Sequence, residues 1–514
     1  MRVLLKQKVH YMRNFILMAA LMFVAAACNG VQNSSSEASA ESGLQMSQMY
    51  TDDMILQRDI PLVIKGKANA GEKVKVTLDG PSGTKTKKAK ASADGLWKVK
   101  MSPLKAGTGF TLTVEGEGRS YTYNNVAAGD IWVCSGQSNM FFRVWEGVDN
   151  GETPADPDLR LFNMKPRYYV NDVRWADEDI EKTQNMDFYH PSTWEACDGE
   201  NLRAFSAVGY HFGRMLREHL DVPVGLVCNA IGGAPAEAWI DRETLAEGYP
   251  EVLEDWFSNE LLNQWCIQMG TINIGYPETG ATKHPYAPSY LFETGIASME
   301  QFPVKGIVWY QGESNDYNIP MHEKLFRLLV KGWRNYWGNQ EMPFHFVQLS
   351  SLAERTMWPD FRDSQRRLAE SIENCEMAVS SDLGDSLDIH PRQKRPVGER
   401  LARLSLRYDY GVDITPCGPV LKTAVLDGDK VVLDFDFAEG LTTSDSQEVR
   451  SFELAGEDQA FVPAEAVIAD GKLVLTSCVA APKYVRYAWQ GFTRANLVNG
   501  DALPASTFRA EISQ

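Results

Sequence analysis

Five short apolar runs in the middle of the chain constrain its fold most: 131–134, 224–229, 304–310, 344–349 and 377–381. They are largely apolar and do not alternate strictly, the pattern of strands covered on both faces. Between them lie stretches with helical spacing at 204–219, 321–337, 361–374 and 397–407. In the first, Phe205, Val208, Phe212 and Leu216 fall on one face. Buried strands alternating with helices predict an α/β region over 126–410, a parallel sheet flanked by helices. Segments 150–200 and 234–300 have weak periodicity and many aromatic residues, and are expected to be insertions that shape a cleft.

The flanks follow a different grammar. Runs at 61–68, 73–79, 95–102 and 110–116 alternate between Gly, Asp and Pro turns, which predicts a small β-sandwich over 44–125. Runs at 420–427, 430–437, 472–476 and 484–489 predict a second β-domain over 411–514.

The amino terminus reads as an export signal over 1–28. Lys6, Lys8 and Arg13 precede an apolar run at 15–27. That run is short for a membrane span, which needs about 20 residues. It ends Ala25-Ala26-Ala27-Cys28, similar to a bacterial lipobox with Cys28 as the lipidated residue; ordinary signal-peptidase cleavage is the alternative. Residues 29–43, rich in Ser, Ala and Glu, are expected to form a flexible tether. The protein is then an exported lipoprotein, periplasmic or at the cell surface, meeting the membrane only through its lipid anchor.

The net charge of −17 argues against a nucleic-acid groove or an anionic membrane surface as the main partner. It does not exclude a small anionic substrate. The eight cysteines show no C-x-x-C pair, so buried free thiols are expected, with one or two disulfides as the alternative. No HExxH, EF-hand or Walker-type run is present, and no metal or cofactor is expected.

Four loops follow predicted strands, and parallel strands deliver them to one edge of the sheet. They are SGQSNM (135–140), NAIGGA (229–234), WYQGESN (309–315) and DLGDSLDIHP (382–391). Ser138 has two readings at this stage, a helix N-cap or a nucleophile. Together the loops supply a hydroxyl, glycine N–H groups, a carboxamide, and an imidazole with carboxylates nearby. Those are the parts needed for acyl transfer. The G-x-S-x-G elbow of the α/β-hydrolases is absent, since Met140 stands two residues after the serine.

The set GQSNM, GGA, WYQGESN and DIHP resembles the sialate O-acetylesterase family, a carbohydrate-esterase branch of the flavodoxin-like SGNH hydrolases. The resemblance extends to DMILQR (53–58), FSAVGY (205–210) and YVRYAW (484–489), so it spans about residue 44 to the end. It implies Ser138 as nucleophile and His390 as general base, working through an acetyl-enzyme. It also implies an oxyanion hole from the Ser138 and Gly233 N–H groups, with Gln311 or Asn315 as a third donor. The wider superfamily has an aspartate three residues before the histidine, where this chain has Leu387. The acid is therefore open among Asp388, which is favoured, Glu313, and Asp385, which better suits a turn cap. A backbone carbonyl in place of any acid is the further alternative. Segment 284–300 also departs from the pattern. The implied substrate is an acetylated carbohydrate: O-acetylated sialic acid, with the 9-position expected, or a xylan-type plant polysaccharide. A non-catalytic carbohydrate-binding lipoprotein is the rival from another class, consistent with two β-domains and 13 tryptophans.

Overall fold

The computed structural model describes residues 43–149 and 154–513. The export segment, Cys28 and the tether up to residue 42 lie outside the described residues.

Seven strands form the path of the central sheet: β1 (Ser120–Gly136), β2 (Asp156–Asn163), β3 (Trp194–Cys197), β4 (Val224–Ala230), β5 (Gly306–Tyr310), β6 (Phe344–Val347) and β7 (Met377–Ala378). Their spatial order is β3-β2-β4-β1-β5-β6-β7. Within this path every neighbouring pair is parallel except β3 on β2. The sheet is therefore mixed, not purely parallel as expected. The antiparallel edge comes from the 150–200 insertion, where the Trp194 ring packs 5.4 Å from Phe162. Without those two strands the order β4-β1-β5-β6-β7 is the flavodoxin-like doubly wound order, whose switch point lies beside β1.

Both faces of β1 are buried, as its continuous apolar run demands. Side chains alternate across a strand. Ile131 and Val133 join a core with Leu325, Phe326 and Leu329 of helix α4 (Ile319–Trp337). Trp132 and Cys134 join a second core with helices α2 (Ala207–Leu220) and α6 (Arg395–Tyr408). The region also holds helices α3 (Gln264–Ile274) and α5 (Trp358–Ser371), among shorter ones, while α1 (Ser138–Phe141) is a single turn after β1.

The expected run 131–134 is only the last part of a strand 17 residues long. Its first half pairs antiparallel with Gly107–Glu115 of the N-terminal sandwich, and Ala127–Gly129 pairs parallel with Ile55–Gln57. Its last seven residues enter the central sheet. The boundary drawn at 125/126 therefore falls inside one continuous strand. Asp130 pins the junction. Its buried carboxylate accepts from Gln57 Nε2 at 2.9 Å and Arg58 Nη2 at 2.8 Å, while Gln57 Oε1 accepts from the Ile131 N–H. Charge-assisted bonds of this kind fix geometry as well as energy.

The sandwich strand Lys73–Asp79 buries Val74, Val76 and Leu78, in keeping with its period of two. Lys85–Lys90, the unexpected strand KTKKAK, pairs only with it, so its lysines blunt a sheet edge. The carboxy-terminal strands form antiparallel sheets around their own core. They dock on α5 through Arg362, a fully buried guanidinium that donates to the carbonyls of Ala488, Gln490 and Gly491. All seven described cysteines are free.

At the end of β1, Gly136 has φ +132°, and a Cβ there would lie 2.2 Å from the Tyr310 carbonyl oxygen. Gly136→Ala combines left-handed strain with a backbone overlap and should cost at least about 2 kcal/mol. Denaturant unfolding checks this; a near wild-type midpoint would contradict so close a strand contact.

Candidate active site

The four loops meet at the carboxyl edge of the sheet, around the end of β1. The Gln137 N–H donates to the Tyr310 carbonyl on β5, and Gln137, not Ser138, is the N-cap of α1. Ser138 is thus the first helical residue, and its hydroxyl is free of a capping role. Ser138 Oγ lies 2.8 Å from His390 Nε2.

His390 is half-buried. Its backbone N–H donates to Asp388 Oδ1 at 2.8 Å, but its Nδ1 is 3.8 Å from the same oxygen, outside hydrogen-bond range. Asp385 accepts from the N–H groups of Leu387 and Asp388, capping the turn. Glu313 makes no hydrogen bond to the imidazole among the described residues. It is buried, with Oε1 accepting from Asn139 Nδ2 and Oε2 without a partner among the described residues.

In the sequence the GQSNM motif points to its serine, yet Asn139 is the residue that connects the loops. Its Nδ2 also donates to the Ile389 carbonyl at 3.0 Å, and its Oδ1 accepts from Lys394 Nζ. One side chain thus ties the serine turn to the histidine loop, to Glu313 and to the start of α6. Lys394 is 1% exposed, with its ammonium over the rings of Phe142 at 4.7 Å and Tyr310 at 5.6 Å. A lysine in the polar run HPRQK reads as solvent-facing; only the tertiary fold buries it.

Burial dominates the electrostatics. It pushes Lys394 down to about 7, opposed chiefly by Glu313, and raises Glu313 above the usual carboxylate range, opposed by Asn139 and Lys394. Burial and then the Lys394 cation hold His390 below the ordinary imidazole range, with Asp388 pulling the other way.

The glycine turn is set by partners on its carbonyls. Tyr286 Oη donates to the Gly232 carbonyl at 2.5 Å, and Ser314 Oγ to the Gly233 carbonyl at 2.9 Å. A trans peptide sets the Gly233 N–H opposite the Gly232 carbonyl, so Tyr286 fixes its direction. Gly233 has φ +74°, and a Cβ there would strike Tyr286. A Cβ on Gly232 would lie 3.8 Å from Ser138 Cβ, which places this turn beside the serine. Tyr286 comes from segment 284–300, the part that departs from the family pattern. The 48%-exposed indole of Trp265 reaches 3.0 Å from that same Gly233 Cβ position.

The two carboxamides expected as a third donor are engaged with protein. Gln311 Nε2 donates to Asn315 Oδ1 at 2.6 Å and to the Ala234 carbonyl at 3.4 Å. Asn315 Oδ1 also accepts from the Ala236 N–H, and its Nδ2 donates to Glu237. Glu237 is buried, which raises it to about 7 against the Asn315 bond. In this structure Gln311 and Asn315 brace the glycine turn: both protons of Gln311 Nε2 have protein acceptors, while Asn315 Nδ2 gives one of its two to Glu237.

A hydroxyl held on an imidazole, beside a fixed glycine turn at the carboxyl edge of a doubly wound sheet, has the parts of a carboxylic ester hydrolase. The comparisons with known proteins agree. Residues 128–407 match the family model described as carbohydrate esterase, sialic acid-specific acetylesterase. The human sialate O-acetylesterase is 29% identical, with 92% of this chain and 94% of that protein covered. The mouse sialate O-acetylesterase is 28% identical, with coverage of 92% and 96%. A crystal structure of a carbohydrate acetylesterase from Xanthomonas citri superposes with a TM-score of 0.75 at 31% identity, covering 91% of this chain and 99% of that one. The chain belongs to the sialic acid-specific acetylesterase family of carbohydrate esterases, and it is a carboxylic ester hydrolase.

The acid limb of kcat/KM on an acetyl ester should have its midpoint below ~6.5, the ordinary imidazole value, because the base must be neutral. Lys394→Met keeps the burial and removes the cation, so the midpoint should move up. A pH–rate profile in which it stays or falls would contradict the Lys394 effect.

Proposed function

We propose that this protein removes acetyl esters from sialic acid, the 9-O-acetyl group foremost, by an SGNH-type Ser–His mechanism. The 2.8 Å contact between Ser138 Oγ and His390 Nε2 is the observation that carries this reading. In the first step His390 Nε2 takes the Ser138 proton as Oγ attacks the acetyl carbonyl carbon. The N–H groups of Ser138 and Gly233 receive the oxyanion, and Gln311 and Asn315 hold the turn that presents the second of them. As the tetrahedral intermediate collapses, His390 returns the proton to the sugar oxygen, which leaves as an alcohol. Water then gives a proton to His390 and attacks the acetyl-enzyme. Acetate leaves, and Ser138 recovers its proton from His390.

With Nε2 as acceptor, Nδ1 carries the proton and faces Asp388. A shift of about 1 Å brings that pair within hydrogen-bond range and would fix the tautomer. Asp388 therefore remains our choice for the orienting acid, and Glu313 acts on Asn139.

Acetylated xylan is the second reading, since the Xanthomonas citri relative is a carbohydrate acetylesterase. A binding-only role leaves the Ser138–His390 contact without a use.

Ser138→Ala should lower acetyl-ester turnover by several orders of magnitude at unchanged melting temperature. A folded variant with near wild-type kcat would defeat the assignment. We also propose that Cys28 is lipidated and anchors the exported enzyme. Intact mass of membrane-extracted protein should show acyl chains there; a soluble form cleaved elsewhere would refute it.

A further inference from the structure

The protein carries a net charge of −17, yet two arginines, Arg143 and Arg392, lie five residues after Ser138 and two after His390, and neither guanidinium has a carboxylate partner among the described residues. Arg143 lies two residues beyond α1, the turn that begins at Ser138. Phe141 is three residues after Ser138 in that turn, so the two share a face. The Arg143 guanidinium sits 4.7 Å over the Phe141 ring and 6.0 Å from the Tyr169 ring, and its Nη2 donates to Tyr169 Oη at 2.8 Å. Its other nitrogens make no hydrogen bond to the described residues. The group is therefore held in one plane with an unused donor edge, and Tyr169 is itself 52% exposed.

Arg392 lies two residues after His390 and is exposed. Its Nε and Nη2 donate to the Glu146 carbonyl at 3.1 and 3.0 Å, and its own carbonyl accepts from the Val148 N–H. These bonds tie the Glu146–Val148 stretch, which begins three residues after Arg143, to the histidine loop. Glu146 and Asp388 lie on the same segments, and neither is within salt-bridge distance of these guanidinium groups among the described residues. Glu146 Oε2 accepts from the Arg143 backbone N–H at 2.8 Å, and Asp388 takes the His390 N–H. Most other arginines here, including Arg58, Arg167, Arg217, Arg400 and Arg486, have an aspartate or glutamate within salt-bridge distance.

A planar guanidinium, positioned by stacking and left with free donors, suits a carboxylate ligand taken in the fork geometry. We propose that Arg143, supported by Arg392, binds the carboxylate of an acidic acetylated sugar while its acetyl ester lies at Ser138. This rests on the esterase reading above and deepens it. The site selects a sugar acid over a neutral polysaccharide, and it does so by a local cation in a protein whose overall charge repels anions. The shared chemistry is the sugar carboxylate, which a sialic acid or a uronic acid supplies.

The test compares an O-acetylated sialic acid with the same sugar carrying a carboxamide in place of its carboxylate, and an O-acetylated galacturonic acid with its own carboxamide. Wild-type enzyme should favour an acid over its amide by about tenfold or more in kcat/KM, chiefly through KM. Which pair shows the preference identifies the source. Arg143→Gln should bring that ratio close to one, and Arg143→Lys should restore part of it. Arg392→Gln should lower it by a smaller factor, and this variant serves if Arg143→Gln does not fold. Equal kcat/KM for acid and amide in wild-type enzyme would overturn the proposal, as would a preference that survives in Arg143→Gln, while hydrolysis of the esters would still support the esterase reading. Absence of hydrolysis of every acetyl ester, a chromogenic one included, would defeat the esterase reading and this proposal with it.

Discussion

The hydrogen-bond ladder of Ser120–Gly136 fixes where the serine stands. One strand serves the N-terminal sandwich with its first half and the central sheet with its second. Such a strand cannot slip by a residue without turning both of its buried faces over. Asp130, gripped by Gln57 and Arg58, locks the register at the crossing point. Gly136 then permits the contact with Tyr310 that no other residue would tolerate. Ser138 emerges from a site specified by backbone pairing on both sides, which is how a rigid scaffold presents a reacting group.

The loops around that serine depend on one another through few side chains. Asn139 joins three of the four loops, and its two flanking groups, Lys394 and Glu313, are both buried. Burying an ion pair costs more than it returns unless geometry and hydrogen bonding are good. Here the pair is mediated by a carboxamide that also holds Ile389, the residue before His390. The fourth loop is held separately, by Tyr286, Ser314 and the chain Gln311–Asn315–Glu237. Backbone groups held this firmly need little reorganisation to serve the oxyanion role proposed for Gly233.

The alternation of buried strands and helices was legible because continuous apolar runs leave few other folds. The four loops were legible because parallel strands send their ends to one edge. The resemblance to the family implied that Ser138 and His390 work together, and the two side chains lie in contact. Lys85–Lys90 was not legible, since an edge strand with one neighbour needs no apolar face and its lysines read as a loop. Lys394 and Glu237 were hidden for the opposite reason: charged residues look exposed until packing buries them. The bonds from Gln311 and Asn315 to the Ala234–Glu237 stretch were not legible, since those partners lie almost 80 positions away in sequence. The antiparallel edge β3 came from an insertion whose weak periodicity carried no signal.

The central claim is that Ser138 is the attacking group. A serine-reactive fluorophosphonate, which bonds to an activated hydroxyl, tests it most directly when adduct mapping is paired with residual activity. The account predicts that esterase activity falls in proportion to labelling and that the adduct lies on Ser138. Full inactivation with the adduct on another residue, or full activity with Ser138 labelled, would contradict it.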